Sequence, residues 1–168
     1  MFKLLKKLFT DPELHKKKVF LRSLELFKDL SSKDLGFLVR SLHSRTYKEG
    51  EVIFEEGDIG RAMFILETGR VELGMREAAS GKTRKIFTLE SGDFFGEMAM
   101  LERLPRSASA RAIERSHIHL LYRANLEEIL HYHPRIGVSV MTHLAHLMSM
   151  RLRHANKLAL VHQPPTYG

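Results

Sequence analysis

The spacing of apolar residues changes twice along this chain. Up to about residue 42 it is helical. Met1, Leu4, Leu5 and Leu8 share one face with Phe2 and Phe9 close by, against Lys3, Lys6 and Lys7 on the other side, which is the pattern of a short cationic amphipathic helix. Asp11-Pro12-Glu13 restarts a helix, because aspartate caps and proline suits the first turn. Phe20, Leu21, Leu24, Leu26, Phe27 and Leu30 support a helix and turn, and Ser31-Ser32-Lys33-Asp34 opens another helix through about Leu42.

Beyond Arg45 the apolar residues alternate: Val52 and Phe54, Met63 and Ile65, Val71 and Leu73, Ile86 and Thr88, then Ile118, Leu120 and Tyr122. Gly50, Gly57, Gly60, Gly69, Gly74, Gly81 and Gly92 punctuate these runs. Short strands between glycine turns predict a β-barrel or β-roll. Ser80-Gly81-Lys82-Thr83 ends like a phosphate loop, but Arg76 stands where that loop needs its first glycine, so the segment reads as a hairpin turn. From Ala124 the helical period returns, first in a short helix to His131 and then in a long one opened by Pro134 and running to about Leu160. Its apolar stripe, with Val140, Leu144, Leu147, Met148 and Leu158 in line with Arg151, suits packing either on the roll or on a second chain.

A chain of 168 residues with 43% hydrophobic and 28% charged residues supports one core, hence one domain. The absence of cysteine excludes disulfides, thiolate metal sites and cysteine nucleophiles, and fits a reducing compartment. No apolar run approaches the ~20 residues that span a bilayer. The N-terminal segment is too short and too interrupted by lysine to be an export signal. The net charge of +7 is concentrated at the ends, +5 in residues 1–22 and +4 in residues 131–168, leaving the middle at −2. Basicity therefore marks the termini as contacts for an anionic partner or membrane surface.

Candidate chemistry lies in that middle, between Phe94 and Ala112. Gly96 allows close backbone approach, and the residues after it can start a helix whose first amides, those of Met98 and Ala99, seek an anion. Glu97 has the right sign for that helix end and can accept hydrogen bonds from sugar hydroxyls. Arg106 supplies a planar guanidinium suited to phosphate, Ser107 a hydroxyl, and Ala99 and Ala108 are small. A hydroxylated sugar joined to a phosphate is a nucleotide. Pairs such as His143 and His146, or His131 and His133, lack a third ligand nearby and read as solvated helix positions, so no metal site is expected. No acid/base pair or activated nucleophile is present in the sequence pattern, so the protein is not expected to be an enzyme.

Phe95-Gly96-Glu97-Met98-Ala99-Met100-Leu101, followed by Leu104-Pro105-Arg106-Ser107-Ala108, resembles the phosphate-binding cassette of cyclic nucleotide-binding domains, the superfamily of the catabolite activator and the protein kinase A regulatory subunit. The glycine-bounded runs Gly50–Asp58 and Met63–Leu73 resemble that family's first strands. The resemblance implies an α+β, mainly β fold: a double-stranded, jelly-roll-like β-roll with N-terminal helices, a short cassette helix and a long C-terminal helix. It implies a basic helical segment over 1–18, a cyclic nucleotide-binding domain over 19–160 with its roll at 45–123 and C-terminal helices at 124–160, and a flexible tail over 161–168.

By the same resemblance Glu97 holds the ribose, Arg106 and Ser107 the cyclic phosphate, and the amides of Met98 and Ala99 complete the shell. Asn156, with His154 behind it, is the candidate for the base. Serine at 107 favours cAMP over cGMP as ligand. The resemblance also implies a bacterial, cytoplasmic sensor whose long helix moves on binding, forms a homodimer and acts on an effector protein. Residues 1–10 are the expected peripheral contact with the inner membrane surface. An interaction scaffold is the alternative reading. DNA is not an expected partner, because eight residues follow Leu160 and a helix-turn-helix needs on the order of 20.

Overall fold

A computed structural model of the chain describes residues 11–161, with side chains through Lys157. The amphipathic helix expected over residues 1–9, the proposed membrane contact of residues 1–10 and the tail beyond Val161 lie outside the described residues.

Helix α1, Pro12–Arg22, starts where the Asp11 carboxylate accepts from the Glu13 amide at 3.0 Å with proline in the first turn. Leu21 is fully buried and Leu14 and Phe20 pack on the core, so α1 is continuous across the boundary drawn at residue 18 and belongs to the folded body. A 3-10 turn, Glu25–Phe27, leads to α2, Ser32–Ser41, capped by the Ser31 hydroxyl accepting from the Asp34 amide at 3.1 Å.

Eight strands follow: β1 His43–Tyr47, β2 Val52–Phe54, β3 Ala62–Thr68, β4 Val71–Arg76, β5 Thr83–Leu89, β6 Phe94–Phe95, β7 Ser109–Ala112 and β8 Ser116–Tyr122. They form two antiparallel four-stranded sheets, β1-β8-β3-β6 and β2-β7-β4-β5, which is the expected β-roll. A six-residue helix, α3, Glu97–Glu102, lies between β6 and β7, and the chain closes with α4, Arg123–Tyr132, and α5, Pro134–Val161. Residues 77–82 form the hairpin turn expected of the Ser80-Gly81-Lys82-Thr83 run, with the Gly81 amide donating to the Glu77 carbonyl at 2.8 Å. Among the described residues no helix is long and apolar enough to cross a membrane.

Period-2 alternation on β3 and β8 divides the core in two. Phe64, Leu66, Ile118 and Leu120 point into the roll with Tyr47, Val71, Leu89, Phe95, Ala110 and Ala112. Met63, Ile65 and Leu121 point outward and bury Leu21, Phe27, Leu35, Leu38, Ile129 and Ile136 of the helices. Complete burial of such a side chain contributes about 1.5–3 kcal/mol, so both faces of one sheet hold the fold together. Val140 and Leu144 of α5 are buried in the second cluster and Leu147 and Met148 pack against it, so the N-terminal half of the apolar stripe is covered by its own chain. Residues 151–157 of α5 are exposed.

Candidate functional site

The site is built around one short backbone excursion. Gly96 has φ 74°, and a Cβ there would come within 2.6 Å of Arg106 Nη1, so a side chain at 96 is excluded by both conformation and the arginine beside it. Its φ aims α3 inward against Gly60, where even a methyl group would collide with the Ala99 Cβ. Arg123 secures the far end of α3. Its Nε donates to the Met100 carbonyl at 2.8 Å and its Nη2 to the Ala99 and Gly60 carbonyls at 2.9 and 2.7 Å, satisfying carbonyls that a helix end leaves free.

Arg106 is tethered by its backbone to the β2–β3 loop, its amide donating to the Asp58 carbonyl at 2.8 Å and its carbonyl accepting from the Gly57 amide at 2.9 Å. Its side chain turns inward and is only 6% exposed. Nη1 donates to the Gly96 carbonyl at 2.5 Å and Nη2 to the Ala62 carbonyl at 2.7 Å. The guanidinium lies 4.3 Å from the Phe54 ring centroid and 5.3 Å from that of Phe64, which stacks on Phe95. Nε is buried with no hydrogen-bond partner. Carbonyl dipoles and ring faces soften the desolvation of a cation but do not neutralise it, and no carboxylate among the described residues pairs with Arg106. Burial pulls its pKa below the ordinary arginine value, opposed by Asp58 and Glu97. The arrangement is a buried positive charge with a spare N–H, which favours an anion.

Glu97, 6% exposed, sits at the start of α3. Burial raises its carboxyl above the usual carboxylate range, with its own amide, Arg151 and Arg106 pulling the other way. Arg151 comes from α5: Nη1 lies 3.4 Å from Glu97 Oε1, Nη2 donates to the Phe94 carbonyl at 2.9 Å, and the guanidinium rests 4.0 Å from the Phe94 ring centroid. The long helix is thus tied to the carboxylate expected to hold a sugar.

These groups border a cavity of about 700 Å³, within the usual range for small-molecule sites. Gly96, Glu97, Met98, Ala99, Arg106, Ser107 and Ala108 all line it, with Met98 and Ser107 exposed at its rim. Leu73 lines it as well, whereas Val71 is fully buried in the roll. Helix α3 has only six residues, so the strong local charge is the Arg106 guanidinium and not the helix dipole expected from the sequence.

Asn156 does not line the cavity. Met150, Arg151, His154 and Ala155 occupy the face of α5 that does, and at ~100° per residue Asn156 falls on the opposite face, where it is exposed. The apolar wall is also richer than the alternation predicts. Leu73 pairs with Phe87 and Gly74 with Lys85, leaving Ile86 as the extra residue of a β-bulge. Ile86, Phe87 and Leu89 therefore all reach the cavity, and the first two are more than half exposed. The only trace of this wall in the sequence is the Ile86-Phe87 pair itself.

Of the α5 pair expected to be solvated, His143 departs from that expectation and His146 meets it. His143 is buried, its Nε2 3.1 Å from Asp29 Oδ2 and its Nδ1 2.9 Å from the Ser139 carbonyl, while His146 is exposed.

Comparison with known proteins agrees with this architecture. Residues 44–133 match the family profile described as the cyclic nucleotide-binding domain. The chain is 32% identical over 131 residues to the cyclic AMP receptor protein of Thermus thermophilus, an alignment covering 78% of this chain and 58% of that protein. It is 31% identical over 111 residues to the cAMP-dependent protein kinase regulatory subunit of Eremothecium gossypii, covering 66% of this chain and 23% of that one. The crystal structure of a cyclic nucleotide-binding domain from Methylobacillus flagellatus superposes with a TM-score of 0.80 at 25% identity, covering 90% of this chain and 88% of that one. The chain thus spans under two thirds of the length of both curated relatives. With more than half of its residues matched by the profile and its two sheets and cassette arranged as described, the chain belongs to the cyclic nucleotide-binding domain family.

Proposed function

We propose that this protein is a cyclic nucleotide sensor with cAMP as its ligand, and that α5 carries the signal to an effector protein. The observation that carries the reading is Arg106: a buried guanidinium without a carboxylate partner, with an unsatisfied Nε–H, at the wall of a mainly apolar cavity beside Glu97. A singly charged cyclic phosphate suits that cation, and Ser107 and the amides of Met98 and Ala99 add donors around it. Glu97 would accept from the ribose hydroxyl. Ile86, Phe87, Leu89 and Met98 offer apolar surface to a base, with His154 on α5 a polar side chain lining the same cavity and Asn156 set aside.

Coupling follows from Arg151. A ribose on Glu97 competes with the guanidinium that now pairs with it, so the ligand and the present seat of α5 share one carboxylate. A ligand shifts an equilibrium only by its differential affinity for two states, and this shared group provides the difference. The exposed stretch of α5, residues 151–157, is the proposed surface for a homodimer or an effector, and the protein acts as a binding module without catalysis.

A thermal-shift series with cAMP, cGMP and 5′-AMP, combined with amide exchange along α5, tests the proposal. Stabilisation in the order cAMP, cGMP, 5′-AMP with altered exchange around Arg151 is expected. Equal stabilisation by 5′-AMP, or none by either cyclic nucleotide, would overturn it.

A further inference from the structure

On the opposite side of the β1-β8-β3-β6 sheet, beneath α1, lies a second cavity of about 710 Å³. Its floor carries three side chains brought together by strand register. His117 and His119 are two apart on β8 and so share its outer face. On one side β1 sets Thr46 opposite His117 and Ser44 opposite His119. On the other side β3 pairs Leu66 with Ile118 and Thr68 with His117, leaving Glu67 as an extra, bulged residue. The bulge aims its carboxylate between the two rings.

Glu67 Oε2 lies 2.9 Å from His119 Nε2 and 3.5 Å from His117 Nε2. The far nitrogens are held too: His119 Nδ1 is 2.9 Å from the Ser44 hydroxyl and His117 Nδ1 2.9 Å from that of Thr46. Ligand nitrogens and oxygens at about 2.0–2.2 Å from a tetrahedral metal ion stand roughly 3.3–3.5 Å apart, and the two observed separations bracket that value. His119 is 1% exposed, and its Nε2 has no hydrogen-bond partner despite the nearby carboxylate oxygen, because the contact is not aligned as an N–H donation. A buried imidazole nitrogen turned to a carboxylate without bonding it fits a lone pair awaiting a shared cation. With Nδ1–H donated to Ser44 and Thr46, both Nε2 atoms are in the ligating form, the way hydroxyl and carbonyl partners orient metal-binding histidines.

We propose that Glu67, His117 and His119 bind a divalent transition-metal ion of the zinc class. Two imidazoles and one carboxylate supply three positions, and the cavity leaves room for water at a fourth. The ion would clip β3 to β8 under α1, where Phe20 packs 5.8 Å from the His119 ring. Lys16, Lys17 and Arg115 also line this cavity, opposed by Asp11 and Glu13 beside Glu67, and the Lys17 ammonium is held at 3.3 Å by the Leu42 carbonyl. This site is independent of the nucleotide cavity.

Calorimetric titration of Zn²⁺ into chelator-treated full-length protein, with Co²⁺ absorption as a second readout, tests the proposal. One equivalent is expected, with a visible Co²⁺ band from a nitrogen- and oxygen-ligated ion and a rise in Tm. His117→Ala and Glu67→Gln, both at the accessible edge of the site, should each weaken binding by about 100-fold and abolish the band, while Ser44→Ala and Thr46→Val weaken it about 10-fold. His131→Ala should change nothing. Absence of Zn²⁺ binding, or binding that survives both His117→Ala and Glu67→Gln, would place the metal on other histidines or nowhere and overturn the assignment.

Discussion

Two cavities on either side of one sheet of this roll are opposites. The cassette cavity holds a buried cation, Arg106, that meets only carbonyl dipoles and aromatic faces, and the pocket under α1 holds a buried imidazole nitrogen facing a carboxylate, the far side of the imidazole being held by a hydroxyl. Each contains polar groups that the protein leaves incompletely satisfied, and the sign of what is left over differs. In the first it favours an anion, in the second a cation. Both sites use the same sheet: Phe64 and Phe95 carry the first on the inner face of β3 and β6, while Glu67 and His119 carry the second on the outer face of β3 and β8.

That separation makes the comparison breakable. Phe64→Ala removes a ring that is 5% exposed, stacked on Phe95 and placed under Arg106, and should cost about 3–5 kcal/mol of stability in denaturant unfolding. Nucleotide affinity should collapse with it. Next in size, Glu97→Ala should weaken cAMP binding by about 10–100-fold through loss of a charged hydrogen-bond acceptor, while Zn²⁺ binding stays unchanged. His117→Ala should do the reverse, and a loss of cAMP binding there would show that the two sites are coupled. Arg151→Ala should raise cAMP affinity up to about fivefold by freeing Glu97 from a half-exposed pair. A fall in affinity would instead make Arg151 a ligand contact.

The smallest effect concerns pH. Burial raises the Glu97 carboxyl above 4.5, so as pH rises past 4.5 the unfolded chain loses a proton that the folded chain keeps. Stability should fall as pH climbs through that window, and Glu97→Gln should flatten this part of the profile in urea unfolding. An unchanged profile in Glu97→Gln would mean that the carboxylate is ionised and solvated in the folded state.

What was readable from the sequence follows from how locally each feature is encoded. The roll is legible because Val52, Ile65, Leu73 and Leu120 repeat at a strand's period and glycines mark the turns. Gly96 through Ala108 are legible as a site because one stretch of chain supplies them. Arg151 is not, because its partner Glu97 lies 54 residues earlier and only the packing of α5 brings them together. Asn156 is expected at the base from the resemblance alone, and a resemblance does not fix the rotation of α5 about its axis, which turns His154 and Ala155 to the cavity and Asn156 away from it. Ile86, Phe87 and Glu67 are hidden by bulges, which add one residue to a strand and turn a side chain against its expected alternation. His117 and His119 sit among polar-looking β residues whose partner is fifty positions away on another strand.

The central claim is that Arg106 receives the phosphate of a cyclic nucleotide. Calorimetric titration of cAMP into the wild-type protein, Arg106→Lys and Arg106→Ala tests it most directly, with far-UV dichroism and thermal unfolding to verify that each variant is folded. One saturable site is expected in the wild type, weakened binding in Arg106→Lys, which keeps the charge but loses the planar fork, and a loss of about 100-fold or more in Arg106→Ala. A folded Arg106→Ala protein that binds cAMP with wild-type affinity, or a wild-type protein that gives no binding, would contradict it.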